Sequence, residues 1–258
     1  MGRFSGKVVL LTGATGGFGR RIAERFAADG ARLVLSDRRE KPLAALAQKL
    51  PGEPAALAGD IAEERLHKNL VKLALARFGR LDIAVNNAGI AQSFVRLHQV
   101  PIAEARKIID VDLVGVFLAM KFQLHAMEKQ FATDGSRGAI VNISSIAGTA
   151  GAPHLSVYSA AKHGVIGLSR SAALEYATRG IRVNAVCPSF ARTDMAMEFL
   201  RRDPAGIEQA EAQLTRGVPM KRLAEIDEVV EAVLFAADPA NSFMTGQAIG
   251  IDGGIGAM

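Results

Sequence analysis

The strongest constraint on the fold is an alternation between short apolar runs and longer segments with helical periodicity. The apolar runs have the length of strands buried on both faces. Because parallel strands need crossover helices between them, this alternation predicts an α/β domain with one doubly wound parallel sheet. The seven predicted strands are 8–12, 32–36, 55–58, 83–86, 139–143, 182–186 and 248–251. The predicted helices are 19–29, 42–50, 63–78, 101–129, 157–178 and 227–237.

One connection interrupts this alternation. No linker rich in Pro, Gly or Ser divides the chain, which predicts one domain over 1–258. The segment 189–222 is longer than an ordinary connection, and long insertions in compact domains are commonly lids or binding loops. Its apolar residues would suit a lid over an apolar ligand, and a small helical excursion packed on the core is the alternative. They are Phe190, Met195, Met197, Phe199 and Leu200.

Composition excludes several classes of protein. With 49% hydrophobic and 22% charged residues, the chain is neither disordered nor collagen-like. It has no apolar stretch of the roughly 18 residues that span a bilayer and no signal-peptide pattern, so we expect no membrane partner and no secretion. Its one cysteine, Cys187, fits a reducing compartment, and a cytoplasmic protein is therefore expected.

The net charge of +5 does not indicate nucleic-acid binding. Basic residues come in scattered pairs instead of one stripe, and aromatic residues that could stack on bases make up only 5% of the chain. The five histidines show no ligand-like spacing with one another or with Cys187. We therefore expect a small-molecule substrate, no nucleic-acid partner and no metal.

A glycine-rich turn joins the first predicted strand to the first predicted helix. Gly13 permits a tight turn, Gly17 lets the backbone approach a pyrophosphate, and Gly19 allows close packing of the helix. The helix N-terminus offers unpaired N–H groups to the anion. This order of strand, turn and helix predicts a dinucleotide site of the Rossmann type, and no Lys-Ser or Lys-Thr pair follows to suggest a P-loop. The expected contacts are Gly13, Thr15, Gly17, Phe18 and Gly19.

Asp37 follows the second predicted strand, where an acidic side chain meets the adenosine ribose in dinucleotide-binding folds. A carboxylate accepts hydrogen bonds from the ribose hydroxyls and repels a 2′-phosphate, which favours NAD over NADP. Arg38 and Arg39 favour the opposite choice, since either could pair with that phosphate or stack on the adenine. We predict NAD as the cofactor, with Asp37 and Arg38 among its contacts.

Tyr158 and Lys162 are four residues apart in a predicted helix, so both side chains emerge on one face. A phenol titrates at about pH 10, and a nearby ammonium favours the phenolate, which suits acid–base chemistry at neutral pH. Ser145 follows a buried predicted strand, at the sheet edge where parallel sheets bind ligands. The three residues are therefore candidates for one catalytic site.

Together these motifs resemble the short-chain dehydrogenase/reductase family. The glycine turn, the segment Asn86-Asn87-Ala88-Gly89, Ser145 and the Tyr158/Lys162 pair occur in that family's order, over about residues 6–254. The resemblance implies that Tyr158 is the general acid/base, that Lys162 stabilises its phenolate and holds the nicotinamide ribose, and that Ser145 binds the substrate oxygen. Further implied cofactor contacts are Asp60 and Ile61 at the adenine, Asn87, Ala88 and Gly89 along the groove, and Pro188 and Thr193 at the carboxamide.

Asp112 departs from the family, which usually has an Asn here that anchors a proton-relay water to the lysine. In the family that Asn acts partly through its backbone carbonyl, which Asp also has. The Asp112 carboxylate can still accept hydrogen bonds. The charge would stabilise the Lys162 ammonium and would oppose phenolate formation if it lies close to Tyr158. We therefore count Asp112 among the catalytic residues and expect activity with an altered pH profile.

The resemblance implies an oxidoreductase that transfers a hydride between NAD(H) and a secondary alcohol or ketone, and a homotetramer. Apolar residues of the long connection, with Phe94 and Leu97, favour a largely apolar or cyclic substrate, and only Arg96 and Arg192 could meet a substrate carboxylate. The alternatives are an NADP-dependent 3-ketoacyl-type reductase and a non-catalytic dinucleotide-binding scaffold. Candidate substrate contacts are Ser145, His154, Ser189, which replaces a common Gly, and Phe190.

Overall fold

The computed structural model describes residues 2–201 and 206–257, without the side chains of residues 194, 195, 198 and 199. Seven strands in this part of the chain form one sheet in the order β3-β2-β1-β4-β5-β6-β7, and every pair is parallel. The predicted doubly wound fold is therefore confirmed. The strands are β1 Val8–Thr12, β2 Arg32–Asp37, β3 Ala55–Ala58, β4 Ile83–Asn86, β5 Gly138–Ile143, β6 Ile181–Pro188 and β7 Ala248–Ile251.

Helices cover both faces of the sheet, which explains why the strands are apolar on every side. The helices are α1 Gly17–Ala28, α2 Glu40–Lys49, α3 Glu64–Phe78, α4 Ile102–Ile109, α5 Gly115–Asp134, α6 Ser156–Tyr176, α7 Asp194–Arg201, α8 Ile207–Leu214 and α9 Ile226–Ala237. In β1, Val9 and Leu11 belong to the core beneath α1, α2 and α9, whereas Val8 and Leu10 belong to the core beneath α3, α5 and α6. Within the described residues, none of these helices has the length and hydropathy needed to cross a bilayer.

The segment predicted as one helix over 101–129 is helical from Ile102 onward, but it is not one regular α-helix. A π-helical turn, Asp110–Val114, separates α4 from α5. Such a turn adds a residue without changing the apolar character of the segment, so hydrophobic periodicity does not reveal it. The turn carries the buried Asp112.

The long connection after β6 contains α7 and α8 and has its own small core. Leu200, Ala210 and Leu223 are buried there, with Phe190 packed against them. Arg192 bonds Glu211 of α8 (2.6 Å) and Glu225 just before α9 (3.1 Å). Some apolar side chains of the connection therefore pack against one another within it. The side chains of Met195 and Phe199 lie outside the described residues.

Candidate active site

The strand order reverses between β1 and β4, and in parallel sheets the crevice at this switch point binds ligands. The Asn87 side-chain amide, just after β4, donates hydrogen bonds to the carbonyl oxygens of Thr12 (3.2 Å) and Gly13 (3.0 Å). Gly13 has a φ of +64°, and a Cβ atom at Gly19 would lie 2.0 Å from the Gly13 oxygen. Both positions therefore require glycine, as the sequence argument for a tight turn and close packing expects.

The first turn of α1 is suited to an anion. Gly16 precedes the helix without a side-chain cap, and the first turn contains no acidic residue. Its N–H groups and the helix dipole therefore favour a phosphate. A Cβ atom at Gly17 would lie 3.2 Å from the Cβ of Thr193, so Thr193 stands beside the same turn. These residues fit the pyrophosphate of a dinucleotide.

Asp37, the last residue of β2, bonds to the glycine turn. Its carboxylate accepts hydrogen bonds from the N–H groups of Thr15 (3.0 Å) and Arg39 (3.1 Å). Burial raises the pKa of this carboxyl, but the hydrogen bonds from Thr15 and Arg39 outweigh burial and hold the pKa below its usual range. Both Arg38 and Arg39 are exposed, but it is the Arg39 guanidinium that donates to the Thr15 hydroxyl (2.6 Å). Arg39, more than Arg38, therefore shapes this end of the groove.

Lys162 is buried in α6 and fixes this helix to the end of β5. Its ammonium donates a hydrogen bond to the Ile143 carbonyl oxygen (3.2 Å), and its own carbonyl oxygen accepts one from the Ser144 hydroxyl (2.9 Å). The ammonium nitrogen lies 5.4 Å from the centre of the Tyr158 ring. The predicted pair therefore meets at the carboxyl end of β5.

Asp112 forms a buried ion pair with Lys162. Its Oδ1 accepts a hydrogen bond from the Ile90 N–H (2.8 Å), and its Oδ2 lies 3.3 Å from the Lys162 nitrogen. Burial raises the pKa of the Asp112 carboxyl, and the Lys162 charge offsets part of this rise. Burial alone would lower the pKa of Lys162, but Asp112 and Tyr158 outweigh burial and raise the Lys162 pKa above its usual value. The lysine is thus held as a cation.

Ser145 directly follows β5. Its hydroxyl accepts a hydrogen bond from the Ala147 N–H (3.2 Å) and donates to the carbonyl oxygen of Pro188 at the end of β6 (3.5 Å). The Ser159 hydroxyl of α6 donates to the Ala147 carbonyl oxygen (2.7 Å), which joins the helix to this turn. The predicted serine, tyrosine and lysine are therefore brought to one edge of the sheet.

The other predicted cofactor contacts lie along the same edge. The N–H groups of Asn87 and Ala88 donate to the Thr12 hydroxyl, and a Cβ atom at Gly89 would lie 3.4 Å from both charged atoms of the Asp112–Lys162 pair. After β3, Asp60 is exposed and the Ile61 carbonyl oxygen accepts a hydrogen bond from the buried His67 (2.7 Å). Phe18 packs partly on the core beneath α1.

The substrate candidates are less closely grouped. Phe190 packs inside the small core of the long connection, and the Ser189 N–H donates to the Ile251 carbonyl oxygen (3.0 Å). His154 is exposed and has a φ of +67°. Arg192 is already paired with two glutamates. Of the two arginines considered for a substrate carboxylate, Arg96 is therefore the one without such pairing in the described residues.

The hydroxyl groups of Ser144 and Thr12, which were not predicted, also organise the site. The Ser144 hydroxyl holds the backbone of Lys162, and the Thr12 hydroxyl holds the segment after β4. Neither residue has a spacing signal, because each acts on a segment far away along the chain. Thr12 does precede Gly13 in the motif, and that adjacency is the signal that could have indicated it.

Two cavities lie outside this cluster of predicted catalytic residues. One of about 450 Å³ opens beside the first turn of α1 and is lined by Gly17, Arg20 and Arg192 among others. One of about 730 Å³ opens at the amino ends of β4, β5 and β6, the edge opposite to the predicted catalytic residues. Within 2–201 and 206–257, no group of three or more His, Cys, Asp or Glu side chains is arranged to hold a metal ion.

Comparison with known proteins identifies the family. A family model described as enoyl-(acyl carrier protein) reductase matches residues 13–256. The chain is 38% identical to 2,5-dichloro-2,5-cyclohexadiene-1,4-diol dehydrogenase of Sphingobium indicum over all of both chains. It is also 38% identical to cyclohexanol dehydrogenase of an Acinetobacter species, over 97% of this chain and 95% of the relative. The chain belongs to the short-chain dehydrogenase/reductase family and is an oxidoreductase of that kind.

Solved structures agree in fold and differ in cofactor. Levodione reductase superposes with a TM-score of 0.90 at 36% identity, over 98% of this chain and 99% of its own. A 3-ketoacyl-(acyl-carrier-protein) reductase of Brucella melitensis, complexed with NADH, and ElxO, with NADP bound, each give a TM-score of 0.89 at 32% identity over the same shares. The family thus binds a nicotinamide dinucleotide of either kind.

Proposed function

We propose that this protein is an NAD-dependent dehydrogenase of secondary alcohols, or reductase of the matching ketones, with a largely apolar, cyclic substrate. The observation that carries the proposal is the buried Lys162 ammonium, 5.4 Å from the Tyr158 ring centre and bonded to the Ile143 carbonyl at the carboxyl end of β5. Because this ammonium is buried, it is not an ordinary solvated surface charge. It stabilises negative charge on the Tyr158 phenol.

The residues of the site support an acid–base mechanism. A bound nicotinamide would accept or supply the hydride. Tyr158 removes the hydroxyl proton of an alcohol during oxidation and returns it during reduction. The Ser145 hydroxyl donates a hydrogen bond to the substrate oxygen, and Lys162 stabilises the phenolate and binds ribose hydroxyls. The first turn of α1 would hold the pyrophosphate, and Asp37 the adenosine ribose.

The preference for NAD rests on Asp37. Its lowered pKa makes it a carboxylate at neutral pH, which accepts ribose hydroxyls and repels a 2′-phosphate. The nearest arginine is Arg39. Its guanidinium donates a hydrogen bond to the Thr15 hydroxyl, and its Nε lies 3.4 Å from Oδ1 of Asp37. NADP use remains the second candidate, since 53% of the Arg39 side chain is exposed and could turn toward a phosphate.

The substrate class rests on relatives and on the long connection. Cyclohexanol and a cyclohexadiene diol are named for two relatives of this chain. We propose that 189–222 closes over such a ring as a lid within one domain, 1–258. Its Arg192 is neutralised by Glu211 and Glu225, which supports an uncharged ligand. The exposed Phe94 and Leu97 after β4 offer further apolar surface.

The proposal includes a homotetramer in the cytoplasm. Apolar side chains are exposed on the helices that would form the interfaces: Phe117 on α5, Leu174 on α6 and Phe235 on α9. Phe243, just before β7, is fully exposed. The tetramer rests on the resemblance to the family, and an interface through these helices would cover these side chains. Analytical ultracentrifugation should give four chains for the wild type and a smaller species for Leu174→Glu.

The cytoplasmic location rests on the single buried thiol, Cys187.

The test measures the turnover of a panel of substrates through the absorbance of the reduced nicotinamide. NAD and NADP are each offered with cyclohexanol, a straight-chain secondary alcohol and a cyclohexanol that carries a carboxylate. The proposal predicts NAD-linked oxidation that is fastest with the neutral ring. Reduction of an acetoacetyl thioester with NADPH alone would support the 3-ketoacyl-type reductase instead. Binding of NADH without turnover on any substrate would support a scaffold.

A further inference from the structure

Gln92 lies in the loop after β4, and its buried side chain contacts the start of the catalytic helix. Only 4% of the residue is exposed. Its Oε1 accepts hydrogen bonds from the N–H groups of Val157 (2.9 Å) and Tyr158 (3.0 Å). Its Nε2 donates to the carbonyl oxygen of His154 (3.2 Å). One amide thus bonds three backbone groups at this point.

These bonds replace a cap that α6 does not supply for itself. The helix begins at Ser156, and the preceding Leu155 makes no side-chain hydrogen bond to it. Val157 and Tyr158 are the second and third residues of the helix, whose N–H groups a capping side chain ordinarily binds. Gln92 provides this cap from a loop that is distant along the chain.

The same amide also fixes the turn before the helix. His154 has a φ of +67°, in the left-handed region that a residue with a Cβ atom adopts at some cost. The hydrogen bond from Gln92 to the His154 carbonyl oxygen stabilises this conformation. Gln92 therefore sets both the start of α6 and the loop that leads into it.

The loop that carries Gln92 contacts three parts of the site. Asn87 bonds the Gly13 carbonyl in the glycine turn, and the Ile90 N–H bonds Asp112 beside the catalytic lysine. Gln92 then bonds the N–H of Tyr158. One short segment, residues 87–92, thus connects the cofactor turn, the ion pair and the catalytic tyrosine.

We propose that Gln92 is a positioning residue, which holds Tyr158 at the correct place relative to Ser145 and the bound substrate. This inference rests on the role of Tyr158 in the proposed function. A reacting group displaced by about 1 Å loses on the order of 100-fold in rate, and Gln92 restrains the backbone of Tyr158 directly. Its loss acts on kcat, because it contacts neither the glycine turn nor Asp37.

Two variants of Gln92 and one matched control separate positioning from stability. Gln92→Met keeps the length and loses all three bonds, whereas Gln92→Glu keeps the two acceptor bonds. The control is Gln130→Met, because Gln130 also bonds backbone groups, the N–H (3.0 Å) and carbonyl (3.4 Å) of Leu81, at the opposite edge of the sheet.

We expect Gln92→Met to lower kcat by about 30- to 100-fold, with KM for the dinucleotide within about twofold of wild type. Gln92→Glu should recover most of kcat. Its charge opposes proton loss from Tyr158, so the rising limb of the pH profile for alcohol oxidation should move to higher pH. Gln130→Met should lower Tm and leave kcat and the pH profile unchanged.

Amide hydrogen exchange supplies a readout that is independent of turnover. Exchange at Val157 and Tyr158 should accelerate in Gln92→Met and not in Gln130→Met. Wild-type kcat in Gln92→Met, or unchanged exchange at these two amides, would overturn the inference. If the wild type gave no turnover while the exchange difference was present, the proposed function would fail and the restraint on Tyr158 would stand.

Discussion

The Lys162 ammonium nitrogen lies 3.3 Å from the Asp112 Oδ2, and both side chains are buried beneath the catalytic edge of the sheet. The family usually has a neutral Asn where this chain has Asp112, so this site contains one more ionisable group. Loss of one partner from a buried ion pair leaves an uncompensated charge. The pair therefore affects both the acid–base chemistry and the stability of the protein.

Asp112→Asn should shift the pH dependence of catalysis. The substitution removes a negative charge near Lys162 and makes proton loss from Tyr158 easier. The rising limb of kcat/KM for alcohol oxidation should therefore move to lower pH. The control is Asp110→Asn, because Asp110 is exposed on the same π-helical turn. Identical profiles for Asp112→Asn and wild type would remove Asp112 from the titrating groups.

The same substitution should change how stability depends on pH. The Lys162 pKa is raised in the folded protein, so its contribution to stability is fully present below about 10.5, the unfolded value, and is lost as the pH rises through the folded value. In Asp112→Asn the buried lysine lacks its counter-charge, so its pKa should fall. The difference in unfolding free energy between the two proteins should therefore be largest near neutral pH and shrink at alkaline pH. Denaturant titrations at several pH values measure it, and a difference that grows with pH would contradict the ion pair.

Asp37→Ala should reduce the preference for NAD. Without the carboxylate, nothing at this position repels a 2′-phosphate, and Arg39 is released from an acidic neighbour. We expect the ratio of kcat/KM for NAD to that for NADP to fall by at least about tenfold. Arg32→Ala is the control, because Arg32 is exposed at the opposite end of β2 and should leave the ratio nearly unchanged. An Asp37→Ala enzyme that kept the wild-type ratio would exclude Asp37 as the selecting residue.

Gly19→Ala should destabilise the cofactor turn. The added Cβ atom would lie 2.0 Å from the Gly13 oxygen and 2.9 Å from Asn87 Nδ2, so the turn must move. At Gly16 the nearest atom would be 3.6 Å away, an ordinary contact, which makes Gly16→Ala the control. We expect a loss of about 1–3 kcal/mol in unfolding free energy for Gly19→Ala and much less for Gly16→Ala, measured by denaturant unfolding. Equal stability of the two variants would contradict the packing seen here.

Much of the fold could be predicted because parallel strands covered on both faces are continuous apolar runs. The residues of β4, for example, are buried throughout, and its predicted bounds match those observed. The π-helical turn between α4 and α5 could not be predicted, because such a turn leaves the hydrophobic pattern intact. The long connection was expected to be a lid or a small helical excursion, but the bounds of α7 and α8 were not predicted, since part of their apolar surface packs within that segment.

Site residues could be predicted where the chemistry needs a particular residue type at the end of a strand, or two such residues four positions apart in a helix. Ser145, Tyr158 and Lys162 belong to that group, and the structure brings them to one edge. The contacts of Ser144 and Gln92 join segments that are far apart in sequence, so no spacing indicates them. The sequence also does not show which of Arg38 and Arg39 lies against Asp37, because this depends on the direction of the backbone after β2.

The central claim is that Tyr158 carries the proton in a nicotinamide-linked oxidation or reduction. The most direct test compares turnover and NADH binding in the wild type and in Tyr158→Phe, which removes only the hydroxyl. We predict that kcat falls by at least about 1,000-fold while the Kd for NADH, followed by fluorescence, stays within about threefold of wild type. Turnover that persists in Tyr158→Phe at a rate near that of the wild type would contradict the account.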